Sequence, residues 1–472
     1  MNNGPVKCFK TQAAAFTACL MLLCSLARAD GKAGDERIRA AFLRVQSIAE
    51  SVEKIRGLKF TNSVEVAIQP MQDLKSYIEK EITEQFGEQN PSHYVEALVR
   101  LGALQEPLDL KEWFYSFMKD QAAAHYSPEQ KTYYLIQTNL NSTMLDVITS
   151  HELCHALQDH NFDLQNFMKG DLQLMRDNGD LLLARQSLVE GEATWVMTAW
   201  MLMDQLGRTS IPSVEPMVSM AIKAQAAMDF DAIAELSLKN SGGMGAGHGM
   251  QGMPEVNLKD QPRFFVQQIL GAYIQGASAI DYVKSQGGWE AVSDLYGKNP
   301  IESTEQLLHP EKLIAKTREG PVTVRIHGLE QRVPAGWKLV EQDVVGEMSM
   351  GFLFDLWNEG EVGGLDPSSV AEGWGGDRYF YFVDEKSGSG MLVWKTVWDS
   401  DSEAAEFAAG YRMMLGKRFP DMEPLKKGKG KSGFLCQVWE TEKGRFLKLA
   451  RKGQVVGIVD ADQEEMLELI WE

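Results

Sequence analysis

In the stretch His151-Glu152-Leu153-Cys154-His155, two imidazoles stand four positions apart and a carboxylate lies beside the first. Residues i and i+4 share one face of an α-helix, so both rings can converge on a single metal ion with Glu152 next to them. The chemistry such an arrangement serves is hydrolysis. Zinc held by two His lowers the pKa of a bound water, and the carboxylate takes its proton. The bland alternative, two hydrogen-bonded core histidines, leaves unexplained why two His and a Glu share one buried helix.

A zinc site of this type needs a third protein ligand and an open position for water. Downstream, Leu188-Val189-Glu190-Gly191-Glu192-Ala193-Thr194-Trp195 lies within a strongly helical run, Leu181 to Leu206. Glu190 and Glu192 are about 200° apart on a helix, so only one can face the metal. The stripe through Glu190 carries Gln186, Ser187, Ala193 and Thr194, small or polar residues that leave room for a polar site. The stripe through Glu192 carries Leu188, Val189, Trp195 and Val196, which read as packing. Glu190 is therefore the expected third ligand.

These side chains must be positioned by buried elements. Ser142-Thr143 and Asp146 supply helix-start signals, and Met144, Leu145, Val147, Ile148, Leu153 and Leu157 cover most of the helix circumference, so the motif helix should be buried. Before it, Gln121–Ile136 reads as a β-hairpin turning at Pro128. The strand preceding the helix could bind an extended peptide along a free edge, or it could simply pack. Further upstream, periodicity predicts a helix over 33–57, a strand over Phe60–Ile68, and helices over Met71–Phe86, Ser92–Leu104 and Leu110–Asp120. Downstream come a polar connection, Asp163–Asp180, and a helix over 211–236. A Gly/Met-rich insertion follows at 237–258, whose thioethers and His248 could hold copper(I) but whose composition favours a flexible loop. Arg263–Ser285 is apolar and helical, and Gly287-Gly288-Trp289 opens another helix. Ser303 or Thr304 should cap a short helix ending at His309-Pro310. Tyr273, Tyr282 or His309, if close to the metal, could stabilise an oxyanion, although a His at a helix end is as readily a surface residue.

From residue 318 the pattern changes to short β runs: Pro321–Ile326, Trp337–Val345, Tyr379–Val383, Gly390–Val397, Gly433–Glu440, Phe446–Ala450 and Val455–Val459. Helices are expected at Ser402–Arg418 and Gln463–Trp471. Gly373–Arg378 reads as a tight turn and Lys426–Lys431 as a solvated basic loop. The expected fold is α+β: a mostly helical catalytic domain with a small edge sheet at 121–317, preceded by a mainly helical region, 30–120, and followed by an antiparallel α+β domain, 318–472.

The chain has 472 residues, 24% charged and 44% hydrophobic, which is ordinary globular composition with ample core. Its net charge of −19 disfavours nucleic acid and anionic lipid surfaces as partners. Residues 1–29 read as a secretory signal. Lys7 and Lys10 precede the apolar run Ala13–Leu26, and Ala27-Arg28-Ala29 offers a cleavage site after Ala29. The expected location is secreted or periplasmic, without stable membrane insertion, and bulky Leu23 argues against lipidation at Cys24. Beyond this segment only Cys154 and Cys436 remain, so the fold is no disulfide scaffold.

His151-Glu152-x-x-His155 with downstream Glu190-Gly191 resembles the gluzincins, the thermolysin-like and aminopeptidase-like zinc peptidases. The longer pattern, with Ala156-Leu157-Gln158-Asp159, Glu190-Gly191-Glu192-Ala193 and Ser303 to Pro310, is similar to a group of secreted bacterial and archaeal gluzincin-like proteins. These share a Gly-Trp-x-Gly-Asp-Arg turn, here at 373–378. The resemblance implies one zinc on His151, His155 and Glu190, Glu152 as general base, and a peptide or protein substrate. Two departures stand out. The His155-to-Glu190 spacing is longer than in thermolysin, and Thr194 stands where the family often has an Asp four residues after the ligand Glu. Asp159 could take over orientation of a ligand His. The rival expectation is a non-catalytic, zinc-stabilised binding protein working through its C-terminal domain; hydrolysis of a non-peptide amide is a third.

Overall fold

The computed structural model describes residues 33–69, 76, 91–119, 124–136, 142–169, 177–241, 258–314, 316, 318–358, 366–429 and 433–467. The signal-like segment 1–29, the helix expected over Met71–Phe86 except Ser76, and the Gly/Met-rich stretch 242–257 with its copper(I) option lie outside the described residues.

The fold is α+β, with two sheets among many helices. In the smaller sheet, β2 (Ala124–Ser127) and β3 (Thr132–Ile136) form the expected antiparallel hairpin. The strand β1 (Glu65–Gln69) joins β3 in parallel, giving the order β1-β3-β2. This corrects one expectation: β3, the strand leading into the motif helix, is central and has no free edge, because β1 occupies it. The outer strand on the hairpin side is β2.

The motif helix, Ser142–Phe162, packs on the first helix, Ala33–Arg56, on β2, and on the helix Gly179–Gln205 that carries Glu190, which accounts for its all-round apolar pattern. It ends at Asp163, whose φ of 52° is a left-handed conformation Asp tolerates. The connection beyond, expected to be irregular, begins with a short helix, Leu164–Lys169.

The Glu190 helix starts under an Asn178 cap, whose side chain accepts the Leu181 N–H. It runs beside the long helix Arg263–Asp294, which is broken at Gly287-Gly288 where the sequence signalled a new helix. The two helices touch through glycines. A Cβ on Gly191 would lie 2.1 Å from the Gly276 carbonyl carbon, and one on Gly276 would lie 2.0 Å from the Ser187 carbonyl oxygen. No side chain fits at either position. The single helix expected over 211–236 is two, Glu215–Ala226 and Phe230–Ser241, because the Asp229 carboxylate accepts the Ala232 N–H and starts the second.

The C-terminal sheet comprises β4 (Trp337–Asp343), β5 (Trp374–Asp384), β6 (Gly390–Trp398), β7 (Glu423–Lys429), β8 (Leu435–Glu440), β9 (Phe446–Lys452) and β10 (Val455–Ala461). All seven pair antiparallel in the order β4-β5-β6-β10-β9-β8-β7. Four local expectations change. Pro321–Ile326 forms no strand; Val322 N–H donates to Gly375 O at 2.6 Å and Arg325 O accepts from Lys395 Nζ of β6 at 3.1 Å. Most of the supposed basic loop at Lys426–Lys431 belongs to β7. Only Gly373 of the 373–378 turn is in a turn conformation, with φ of 76°, and Trp374 already opens β5. The helix expected at Gln463–Trp471 is a 3-10 turn, Glu464–Leu467, with 468–472 outside the described residues. Helices Glu347–Leu356 and Pro367–Ala371 were not foreseen.

One apolar core joins helices Ser92–Leu101 and Leu110–Lys119 to Phe265 of the long helix and to Phe354, Trp394 and Phe407 of the C-terminal region. The first helix instead shares a core with the motif helix. The stretch expected to be one N-terminal region is thus divided between two cores. Among the described residues no helix is long and apolar enough to cross a membrane.

Candidate metal centre

His151 and His155 project from one face of the motif helix and meet Glu190. The Nε2 atoms of the two rings are 3.0 Å apart; Glu190 Oε2 lies 3.1 Å from His151 Nε2 and 3.5 Å from His155 Nε2. All three residues are buried. A tetrahedral zinc with bonds of 2.0–2.2 Å holds its ligand atoms about 3.3 Å apart, so the donor set and its spacing fit such an ion. Among the described residues this is the one group of His, Cys, Asp and Glu side chains able to hold a metal ion. Glu190 rather than Glu192 faces the imidazoles, as the helical phase required.

Each group is tuned by its surroundings. Burial works against charge on His155, but the carboxylates of Glu190 and Glu152 hold its pKa up to about 9. Burial keeps His151 below its ordinary value. Glu190, which burial alone would raise, is pulled down to about 2 by the two imidazoles. Burial pushes Glu152 up to about 8, with the Glu190 charge adding to it and His155 opposing. Without metal, the carboxylates favour a proton on His155, and the imidazoles favour the ionised form of Glu190. Glu152 is not among the ligands. Its Oε2 accepts the Tyr126 N–H of β2 at 2.9 Å, which places the outward-facing amide of that strand on the carboxylate.

Tyr273 lies at the site. Its ring centroid is 5.8 Å from that of His151, and its phenol lies near enough to Glu190 to feel the carboxylate. Burial and the neighbouring Glu190 and Glu152 charges raise its pKa well above the usual range, so it remains a donor. The contact depends on the Gly191–Gly276 crossing, one turn from Tyr273, which brings the helices close enough. His309 is placed differently. Its Nε2 is 2.9 Å from Glu347 Oε1, and no contact joins it to His151, His155 or Glu190 among the described residues. Tyr282 is half-buried in the apolar packing around the motif helix.

Asp159, the residue that could have oriented a ligand His, does not contact one among the described residues. That residue anchors the hairpin instead, accepting from Tyr126 Oη at 2.7 Å and from Lys131 Nζ. Thr194 Oγ1 is buried and has no hydrogen-bond partner among the described residues, so it orients no ligand His there. The residue that holds His155 is Gln158, whose Oε1 accepts from Nδ1 at 2.9 Å and so directs Nε2 to the metal position. Its Nε2 donates to Val189 O and to Tyr296 Oη, both at 3.0 Å, which fixes the amide the right way round. Tyr296 Oη in turn donates to Glu192 Oε2 at 2.7 Å, and Arg56 closes the chain by donating from Nε to Glu192 Oε1. The guanidinium also lies over the Trp289 ring, 4.5 Å from its centroid. Gln158→Leu should keep the fold and weaken zinc binding about 10–100-fold, as losses of such orienting partners do. Competition against a chromophoric chelator would measure this, and wild-type affinity would remove Gln158 from that role.

The Asp of the Gly-Trp-x-Gly-Asp-Arg sequence, Asp377, is buried and accepts from Val345 N, Gly346 N, Trp374 Nε1 and Trp394 Nε1, so it ties β5 to the start of helix Glu347–Leu356.

The molecule is thus an α+β protein built around a buried two-His, one-Glu cluster. A family model described as a domain of unknown function (DUF8575) matches residues 331–471. No curated protein and no solved structure matches the chain.

Proposed function

We propose that this protein is a zinc metallopeptidase of gluzincin type, secreted or periplasmic, with one zinc on His151, His155 and Glu190. The observation that carries the reading is the convergence of those three donors beside a carboxylate, Glu152, that is left out of the ligand set. A zinc ion bound there would bring the pKa of its water toward neutrality. Glu152, steadied by the Tyr126 amide, accepts the proton of the attacking water and passes it to the leaving amine. Tyr273, with its phenol against Glu190, is the hydroxyl that can turn to the oxyanion. Gln158 keeps His155 in the tautomer that offers Nε2 to the metal.

The test is metal content and peptide hydrolysis of the chain from residue 30 onward, beside His155→Ala and Glu190→Ala. About one zinc per chain, lost in both variants together with activity, is the expected result. Retention of zinc in Glu190→Ala would remove the third ligand, and zinc without hydrolysis of any peptide would favour the binding-protein alternative.

Zinc binding should also depend on pH with a definite sign. The proton held by His155 must leave for Nε2 to bind metal, and its pKa is about 9. Apparent affinity should therefore rise by about tenfold per pH unit up to that value and level off above it. Equal affinities at pH 6 and pH 8 would contradict a proton on this ligand.

A further inference from the structure

Helix Ser92–Leu101 carries Tyr94 and Leu98 on one face, four residues apart, and that face closes a cleft of about 700 Å³, counted out to its open mouth. Leu183 of the Glu190 helix and Ile269 of the long helix form a second wall. Asp343, the last residue of β4, and Tyr379 of β5 form the third. None of His151, Glu152, His155 and Glu190 lines this space. Small-molecule sites favour such junctions, where an apolar surface carries a few polar groups.

The decisive polar group is Asp343, which is only 6% exposed. Its Oδ1 accepts the Gly179 N–H at 2.5 Å and the Val344 N–H at 2.8 Å. Its Oδ2 accepts no hydrogen bond among the described residues, and none of their cations pairs with it. Arg378, whose charge reaches Asp343, donates instead to Asp177 O at 2.9 Å and to Gln342 Oε1. The other charges nearby are acidic. Burial, and after it the charges of Asp343 and Glu341, raises the Tyr94 and Tyr379 phenols above their usual range, so both side chains lie close to these carboxylates. A buried carboxylate oxygen without a donor is costly, and a positively charged donor offsets that cost best.

We propose that this cleft binds a small organic amine, with its ammonium group on Asp343 Oδ2 and its apolar body, of isobutyl or phenyl size, against Leu98, Leu183 and Ile269. A primary ammonium brings three donors and a full positive charge, which a hydroxyl does not. Tyr94 and Tyr379 add aromatic surface that favours a cation. Asp343 and Glu341 exclude an acidic ligand by repulsion. The site draws on three parts of the chain, including the region matched as DUF8575, and does not depend on the peptidase reading.

Calorimetric titration of the full chain tests this, at about 0.15 M salt so that exposed charges are screened. Phenethylamine is expected to bind, and phenethyl alcohol, its neutral counterpart, to bind at least about tenfold more weakly. Hydrocinnamate, the anionic counterpart, should not bind. Methylamine, which lacks the apolar body, should also fall at least about tenfold below phenethylamine. Asp343→Asn keeps an oxygen for the Gly179 and Val344 amides but loses the charge, so it should bind the amine no better than the alcohol, with circular dichroism unchanged. Absence of amine binding, equal binding of amine and alcohol, methylamine as tight as phenethylamine, or full amine affinity in Asp343→Asn would overturn the site. The ligand comparisons are made on the wild-type chain and decide the matter even if the variant fails to fold. No hydrolysis is read, so failure of the peptidase reading leaves every outcome unchanged.

Discussion

Glu152→Gln is expected to retain one zinc per chain and to lower peptide turnover by about 10²–10⁴-fold. The amide matches the carboxylate in shape, and its Oε1 can still accept the Tyr126 N–H, so β2 and the motif helix keep their places. What it cannot do is take a proton from water. Burial and the Glu190 charge hold the Glu152 pKa at about 8 before metal binds, and a divalent ion nearby favours its ionised, basic form. The KM of a good peptide should change little, because the lost interaction belongs to the transition state. Turnover within about tenfold of wild type would mean that another group accepts the proton.

The second large effect is on stability. Arg56→Met should destabilise the fold by about 3–5 kcal/mol, because it leaves the Glu192 carboxylate buried with no cation beside it. The same substitution made together with Glu192→Gln should recover much of the loss, since a neutral amide can keep the Tyr296 contact without needing a counter-charge. Urea denaturation of the three variants reads this directly. If Arg56→Met alone cost under about 1 kcal/mol, the pair would not be the sealed ion pair described. The chain Arg56–Glu192–Tyr296–Gln158–His155 also predicts that Arg56→Met, far along the network from the imidazoles, weakens zinc binding.

What could be read in the sequence and what could not divides by range. His151, Glu152 and His155 are within one helical turn, and their convergence is a property of the helix alone. Glu190 was separable from Glu192 because phase and the character of neighbouring residues are also local. Arg56 is the counter-example. It lies 136 residues from Glu192, and nothing local marks it as the partner of a buried acid. Gln158 was within reach, next to Asp159 and on the motif helix, but a carboxylate was the more obvious choice for a His partner. The structure gives Asp159 to Lys131 and Tyr126 instead. His309 reads like a placed catalytic group, yet buried Glu347, contributed by a helix that was not foreseen, holds it elsewhere. The Lys-rich β7 reads as a loop because its charges mask its pairing; an outermost strand is where lysines discourage edge-to-edge association.

The position of β10 has a consequence for how this protein is made. In the order β4-β5-β6-β10-β9-β8-β7, the strand latest in sequence joins two three-stranded ribbons that do not pair with each other. During synthesis from the N-terminus, the ribbons emerge as separate halves while Trp394 and Phe407 await their complete surroundings. Helices Ser92–Leu101 and Leu110–Lys119, which dock on that same core, must wait with them. A nascent chain stalled before Val455 would therefore carry every residue of the metal centre and still lack a closed C-terminal sheet. Such a delay would keep the metal centre from acquiring its finished surroundings until translation has passed the last strand.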